Sequence, residues 1–402
     1  MADRFKDIVP EYLSDPEYFN FFFRFDTKLG SGCDGEVTGY FHIPTGRTIA
    51  VKTPRPNDFV AYQIIQREAK VLAHIGKSRT QENIAHMLAY QPEFGKTRCP
   101  AMFSECADFG DLLEYRHAWQ EQQAACEEPW GIAEATVWKL FKDMALALDF
   151  LHNECGFVHR DVKPGNILVT CPPNERSEWV PTVPLFKLCD FSRAVEYPAP
   201  DGKIHHWAGT LTYAPPPCER HSSEPARPAG DMWSLGATLQ EFALGVGPSR
   251  SRKSMICSLL LENMPIPDNE IMWSLPEYEF VFWAQYRPLN LSAFALNLYD
   301  LDELVPECYE PFSNMLEHWY KKLFTINDTQ RVTSAELVRD MVPRVDKYIV
   351  AANDNAEEKD GADGVPTRRS VALSTPAPTR TVIEGGDCFV ALAKAPSYKD
   401  RT

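Results

Sequence analysis

The chain is predicted to fold as an α+β protein of two lobes, a small strand-rich one followed by a larger helical one. Two observations point there. Strand-like segments cluster between Phe25 and Ser104, and helical patterning takes over from Leu112. The chain has 402 residues, 44% hydrophobic and 12% aromatic, enough for real cores and against a mainly disordered protein.

The strand signals are FRFDTKL, EVTGYFHI, RTIAVKT and PAMFSE. One helical stretch interrupts them, Phe59 to Ile75, with Ala61, Ile64, Glu68 and Leu72 at helical spacing. Further on, ATVWKLFKDMALALDFLHN places Leu140, Met144, Leu148 and Leu151 on one apolar stripe. The folded body is assigned to residues 25–345. Residues 1–24 precede it as an extension whose aromatic run (FNFFFRF) serves core packing and leads into the first strand. Residues 350–402, rich in Ala, Asp, Glu, Pro and Thr, cannot bury enough apolar area to offset ordering entropy and read as a disordered tail. Proline clusters at Cys171–Pro184 and Pro248–Pro276 read as surface insertions.

Lys+Arg number 41 against 56 Asp+Glu, a formal charge of -15, which argues against a nucleic-acid partner needing clustered cations. No apolar run reaches the ~18–20 residues of a membrane span, and the charged, Pro-broken start is no secretory signal. Eleven cysteines without a C-x-x-C pair suggest reduced thiols in an intracellular protein, cytoplasmic or nuclear.

Gly30, Gly32 and Gly35 lie in GSGCDGEV between two strand signals. Glycines at this spacing let a tight hairpin bring backbone N–H groups against phosphate oxygens. A plain glycine-rich turn is the alternative; a dinucleotide loop would need a helix next, and a strand follows. Lys52 ends the apolar strand Ile49-Ala50-Val51 and would project into the cleft under that hairpin. A buried ammonium needs anionic partners. Phosphate oxygens supply one, and Glu68, which shares a helix face with Leu72, supplies the other.

The stretch HRDVKPGNIL, residues 159–168, carries the strongest signal in the chain. Asp161 is placed to accept or orient the proton of a hydroxyl nucleophile. Lys163 neutralises charge on a transferred phosphoryl group. Asn166 offers a neutral oxygen to a divalent cation. Asp190 follows the strand LFKL and adds a carboxylate. Two hard oxygen ligands completed by phosphate oxygens suit Mg²⁺.

With these motifs in this order, residues 25–345 resemble a eukaryotic-type protein kinase domain, Ser/Thr branch. The resemblance implies the bilobal kinase fold, with an N-lobe of residues 25–104, a hinge of 105–110 and a C-lobe of 111–345. It implies ATP and Mg²⁺ as cofactors and proteins carrying Ser or Thr as substrates. Lys52 then holds the α- and β-phosphates, Asp161 is the catalytic aspartate, and Asn166 and Asp190 bind the metal. Glu105 C=O and Ala107 N–H read adenine, Val37, Ala50 and Leu168 sandwich it, and Asp111 binds ribose or a basic substrate side chain. Ser104 stands at the gatekeeper position, Thr210 beside the substrate pocket, and Asp231 braces the catalytic loop from its helix.

Three departures stand out. Ser192 replaces the usual glycine after Asp190-Phe191, and Pro216 replaces a glutamate that normally pairs with an arginine, here Arg331. Arg331 is left to find Glu219 or to be solvated. Between Asp190 and Gly209 the only hydroxyls are Ser192 and Tyr197, and His206 occupies the place of a phosphorylatable threonine. Activity is therefore expected not to depend on phosphorylation of that segment, with Glu196 or another acid standing in for the phosphate. The rival reading is a pseudokinase scaffold. The acidic chain hints at basic substrates, while Gly165 in place of glutamate weakens that hint. Arg368-Arg369-Ser370 and Ser374-Thr375-Pro376 resemble phosphosites in the tail.

Overall fold

The computed structural model describes residues 5, 7–8, 10–13, 15–32, 34–78, 81–95, 98–125, 131–172, 179–216, 219, 225–249, 251–261, 263–266, 284–299, 304–307 and 309–350. The tail, its phosphosite-like segments and much of the second proline cluster lie outside them.

Five antiparallel strands form the first lobe: β1 (Phe23–Gly32), β2 (Gly35–His42), β3 (Arg47–Thr53), β4 (Met87–Phe94) and β5 (Cys99–Glu105), in the order β1-β2-β3-β5-β4. Alternation along β3 does the sorting. Ile49 and Val51 point to one face and are fully buried, whereas Ala50 and Lys52 point to the other. β4 carries no signal in the expected list of strands. It is an edge strand with Gln91, Pro92 and Glu93 in its second half, and an edge is the place where a sheet tolerates proline.

Two short helices precede the sheet, α1 (Pro10–Leu13) and α2 (Pro16–Phe22). Asp15 caps α2 by accepting from the Glu17 and Tyr18 amides at 2.9 and 3.3 Å, and Pro16 occupies its first position. Ile8, Leu13, Phe19 and Phe23 pack with Ile49, Val51, Ala101 and Phe103 in one cluster. Phe19 stacks on Phe23 and meets Phe94 and Phe103 edge-on. Burying a side chain such as Phe19 contributes roughly 1.5–3 kcal/mol. The extension is thus part of the first lobe's core.

On the other face lies α3 (Phe59–Ser78), whose buried residues are Ala61, Ile65, Glu68, Ala69, Val71 and Ile75. The stripe runs through Ile65 instead of the expected Ile64, and Leu72 is half-buried. The second lobe is built on α4 (Leu112–Ala125), α5 (Glu134–Asp149) and α6 (Pro228–Leu244), followed by α7 (Arg252–Leu261), α8 (Ala293–Leu296) and α9 (Asn314–Tyr320). Leu140, Met144, Leu148 and Leu151 are fully buried in one large cluster with α6 and α9. The described part of the first proline cluster is tied down: Tyr115 Oη donates to Pro181 O at 2.7 Å, and Thr136 Oγ1 to Thr182 O. Two small ladders lie under the sheet, β6 (Phe157–Val158) with β9 (Val195–Glu196) and β7 (Ile167–Thr170) with β8 (Leu185–Leu188). Among the described residues no helix is long and apolar enough to cross a membrane.

Candidate active site

The β7–β8 register places two of the expected site residues at one end of a hairpin. Ile167 pairs with Leu188, so Asn166 and Asp190 leave the ladder side by side, joined by Cys189 N donating to Asn166 O at 2.9 Å. From the sheet above, Lys52 reaches down. Its Nζ lies 2.7 Å from Glu68 Oε2 and 3.1 Å from Asp190 Oδ1. Glu68 Oε1 also accepts from the Phe191 amide at 3.1 Å, which locks α3 onto the turn after Asp190. Burial alone would lower the Lys52 pKa; the charges of Glu68 and Asp190 overcome it and hold the ammonium well above the lysine range. Burial pushes the Glu68 carboxyl up to about 7, with Lys52 pulling against it. Asp190 is driven up by burial and more strongly down by Lys52 and the Ser192 bond, and ends well below the carboxylate range.

The residues of HRDVKPGN form a second group. Asp161 Oδ1 accepts from the Thr210 amide and hydroxyl, both at 2.8 Å, and Oδ2 lies 2.9 Å from Lys163 Nζ. Asn166 Nδ2 donates to Asp161 O and Oδ2 at 2.8 and 3.1 Å. Asp231, fully buried on α6, accepts from the His159 and Arg160 amides at 2.8 and 2.7 Å and faces His152 Nε2 at 2.9 Å. His152, by bond and charge, outweighs burial and lowers the Asp231 pKa. Arg160 and Asp190 both adopt left-handed backbone, φ 69° and 60°. Such conformations cost about 1–3 kcal/mol and persist where surroundings over-determine them; Asp231 and Lys52 do so here.

Around this centre, Val37 faces Lys52 and Gly39 faces Ala50 across β2–β3, while Ser104 pairs with Ala50 across β3–β5. The Glu105 carboxylate pairs with Lys187 at 2.7 Å and accepts the His86 amide at 2.8 Å, and Ala107 is buried. Asp111 bridges to Leu168 through the backbone. Its Oδ1 accepts the Leu113 and Glu114 amides at 2.9 Å, so one oxygen caps α4, while Oδ2 lies beside Gly165. Gly35 has φ +140°, and a Cβ there would collide with the Thr53 carbonyl. At Gly30 and Gly32 a Cβ would meet nothing within 4 Å, so those two glycines border open space. Bare backbone roof, an ammonium below it and a carboxylate with an amide on the floor fit a nucleotide polyphosphate with Mg²⁺. Among the described residues no three acidic, imidazole or thiol groups form a metal cage.

Each departure has a partner. The Ser192 hydroxyl donates to Asp34 Oδ2 at 2.9 Å, and Arg193 Nη2 lies 3.5 Å from Asp34 Oδ1. The expectation for Glu196 fails: it is exposed on β9. The arginines instead donate to carbonyls, Arg160 Nε to Arg193 O at 2.7 Å, Arg160 Nη1 to His206 O, and Arg67 Nη2 to Ala194 O at 3.1 Å. Carbonyl oxygens thus take donors that a phosphate would have taken, and Asp231 is the acid whose charge reaches Arg160. Burial and the like charges of Arg67 and Arg193 lower the Arg160 pKa to about 10, with Asp231 pulling it back up. Arg331 finds Glu219, with Nη2–Oε1 at 2.5 Å and Nη1–Oε2 at 3.0 Å, and its guanidinium lies 4.9 Å from the centre of the Trp233 ring. Sequence reasoning gave no role to Asp34 or Arg67. The only signal was an acid at the tip of a glycine hairpin and an arginine beside Glu68.

A protein kinase domain family model matches residues 23–342. Over 256 residues, 58% of this chain, it is 30% identical to the probable serine/threonine-protein kinase iksA of Dictyostelium discoideum, of which that stretch is 25%. It is 31% identical to the MAP kinase kinase mkk-4 of Caenorhabditis elegans over 260 residues, 63% of this chain and 65% of that one. Identity to mitogen-activated protein kinase kinase 5 of Leishmania mexicana is 25% over 339 residues, 84% and 52% of the two chains. The matched part therefore spans from a quarter to about two thirds of these relatives. With a kinase family model covering both lobes and the assembled crevice, the chain belongs to the protein kinase family.

Proposed function

We propose that this chain is a serine/threonine protein kinase that transfers the ATP γ-phosphoryl group to protein hydroxyls. One observation carries the reading: Lys52 is paired with both Glu68 and Asp190 while Asp161 is joined to Asn166 and Lys163. In that arrangement Lys52 binds the α- and β-phosphates and Glu68 fixes its position. Asp190 and Asn166 would hold Mg²⁺, which when bound screens phosphate charge. Asp161 orients the substrate hydroxyl and takes its proton, and Lys163 neutralises charge building on the phosphoryl oxygens. Thr210, bonded to both Asp161 and Lys163, sets the floor of the substrate pocket. Glu105 C=O and Ala107 N–H bind the adenine edge, between Val37 and Ala50 above and Leu168 below, and Asp111 faces the ribose.

The competing reading, a scaffold without transfer, leans on Ser192 and Pro216. Ser192 is bonded to Asp34, and Arg331, the cation a glutamate at 216 would have paired, is bonded to Glu219, which favours catalysis. A radiolabel transfer assay on generic Ser/Thr substrates, with Asp161→Asn as control, tests it. Transfer by the wild type and not by the variant is the expected result; equal counts from both would leave the scaffold.

A further inference from the structure

The tip of the glycine hairpin is an aspartate, and its side chain points down. β1 ends at Gly32 and β2 begins at Gly35, so Asp34 sits at the very turn. Its Oδ2 accepts the Ser192 hydroxyl at 2.9 Å, from the turn directly after Asp190, and its Oδ1 lies 3.5 Å from Arg193 Nη2. The two residues are 8% and 4% exposed. One bond thus joins the roof of the crevice to its floor, at the end where Lys52 meets Asp190. A glycine at position 192 would have no hydroxyl to offer. An apolar residue at 34 would accept nothing. The bond needs both residues.

A carboxylate in this place has an electrostatic consequence. Lys52 already carries two acidic partners, and Asp34 brings a further negative charge to the pocket into which a polyphosphate must enter. Two like charges at a few ångströms in a partly dry crevice repel by several kcal/mol before screening. The bond holding Asp34 down is a hydrogen bond to a charged acceptor, strong enough to order a loop and weak enough to break for a ligand.

We propose that Asp34 and Ser192 form a latch that shuts the phosphate end of the crevice in the nucleotide-free protein, and that the Asp34 carboxylate discriminates against polyphosphates until it is displaced. The inference rests on the nucleotide-binding part of the proposed function and not on phosphoryl transfer. Asp34 is a gating residue; it acts through the roof and through charge.

Calorimetric titration of the full chain with Mg·ATP and with adenosine, beside amide hydrogen exchange of the nucleotide-free protein, tests both halves. Asp34→Asn keeps an acceptor for Ser192 and removes the charge. It should bind Mg·ATP about tenfold tighter than wild type while adenosine affinity stays within about twofold. A change in fold would move both ligands together. Ser192→Ala keeps the charge and removes the donor. It should speed exchange of the hairpin amides around Gly35 severalfold without ligand, and tighten Mg·ATP by less than Asp34→Asn does. Unchanged exchange in Ser192→Ala overturns the latch. An Asp34→Asn protein that binds Mg·ATP no better than wild type, or not at all, overturns the discrimination, and weaker binding would make Asp34 a helper of the cation. Transfer is read in none of these arms, so a chain that binds nucleotide but fails the radiolabel assay sinks the kinase reading and leaves the latch standing.

Discussion

Asp231 beneath the catalytic loop and Asp34 above it are both buried carboxylates that hold a loop at the crevice, and they hold it in different ways. Asp231 sits on the long helix α6 and takes two backbone amides and an imidazole. Asp34 sits on a hairpin turn and takes one hydroxyl at bonding distance and one guanidinium at 3.5 Å. Main-chain donors held by a helix cannot leave without unfolding the loop; a serine rotor can. The floor is built to stay and the roof to move, which suits a site where chemistry needs fixed geometry and substrate needs a way in.

The comparison can be broken most severely from the floor. Asp161→Asn should lower transfer by about 10²–10⁴-fold or more with only a small drop in the unfolding midpoint, because it removes the acceptor of the substrate proton while its remaining oxygen still accepts from Thr210. A variant that also melts early would make Asp161 part of the scaffold. Asp231→Ala should cost about 3–5 kcal/mol by denaturant titration, since two buried amides and His152 lose their partner at once. The matching change in the roof, Asp34→Asn, should cost less than about 1 kcal/mol, as the amide still accepts from Ser192. Equal costs would erase the distinction drawn here.

A smaller effect sharpens the picture at the junction of the two halves. The Glu68 carboxyl, pushed up to about 7 by burial, takes up its proton as pH falls below that value and leaves Lys52 with one anionic partner fewer. Transfer should therefore decline on the acid side by up to about tenfold per pH unit, and Glu68→Gln, slower throughout, should be flat across the same range. The smallest expected effect lies in the activation segment. Phosphatase treatment of the purified protein should leave transfer within about twofold, because carbonyl oxygens of Arg193, Ala194 and His206 already engage Arg160 and Arg67. A large loss, with a phosphosite mapped between Asp190 and Thr210, would show those bonds to be insufficient.

Much of the floor was legible because its chemistry lives in short stretches: HRDVKPGN and the turn after LFKL each bring their polar groups together within one loop. The apolar run Ile49-Ala50-Val51 was enough to mark a buried strand that delivers Lys52 to the cleft, while the sorting of Ile49 and Val51 to the opposite face came from the structure. What escaped has physical causes. β4 escapes notice because Pro92 and Glu93 interrupt an otherwise apolar run, which a sheet permits at its edge. The α3 stripe shifts from Ile64 to Ile65 because the sheet it packs on, through Met102, decides which neighbour is covered. Glu196 looked suited to neutralise Arg160, yet backbone carbonyls leave no trace in a sequence. The Asp34–Ser192 bond joins positions 158 residues apart, and no local pattern couples them.

The Arg331–Glu219 pair bears on what position 216 can hold. The guanidinium is saturated: two oxygens from Glu219, the Ala229, Thr325 and Ile326 carbonyls, and the Trp233 ring beneath. A glutamate placed at position 216 would find the donors of this cation already taken, so Glu219 leaves the residue the family usually carries there without its customary partner.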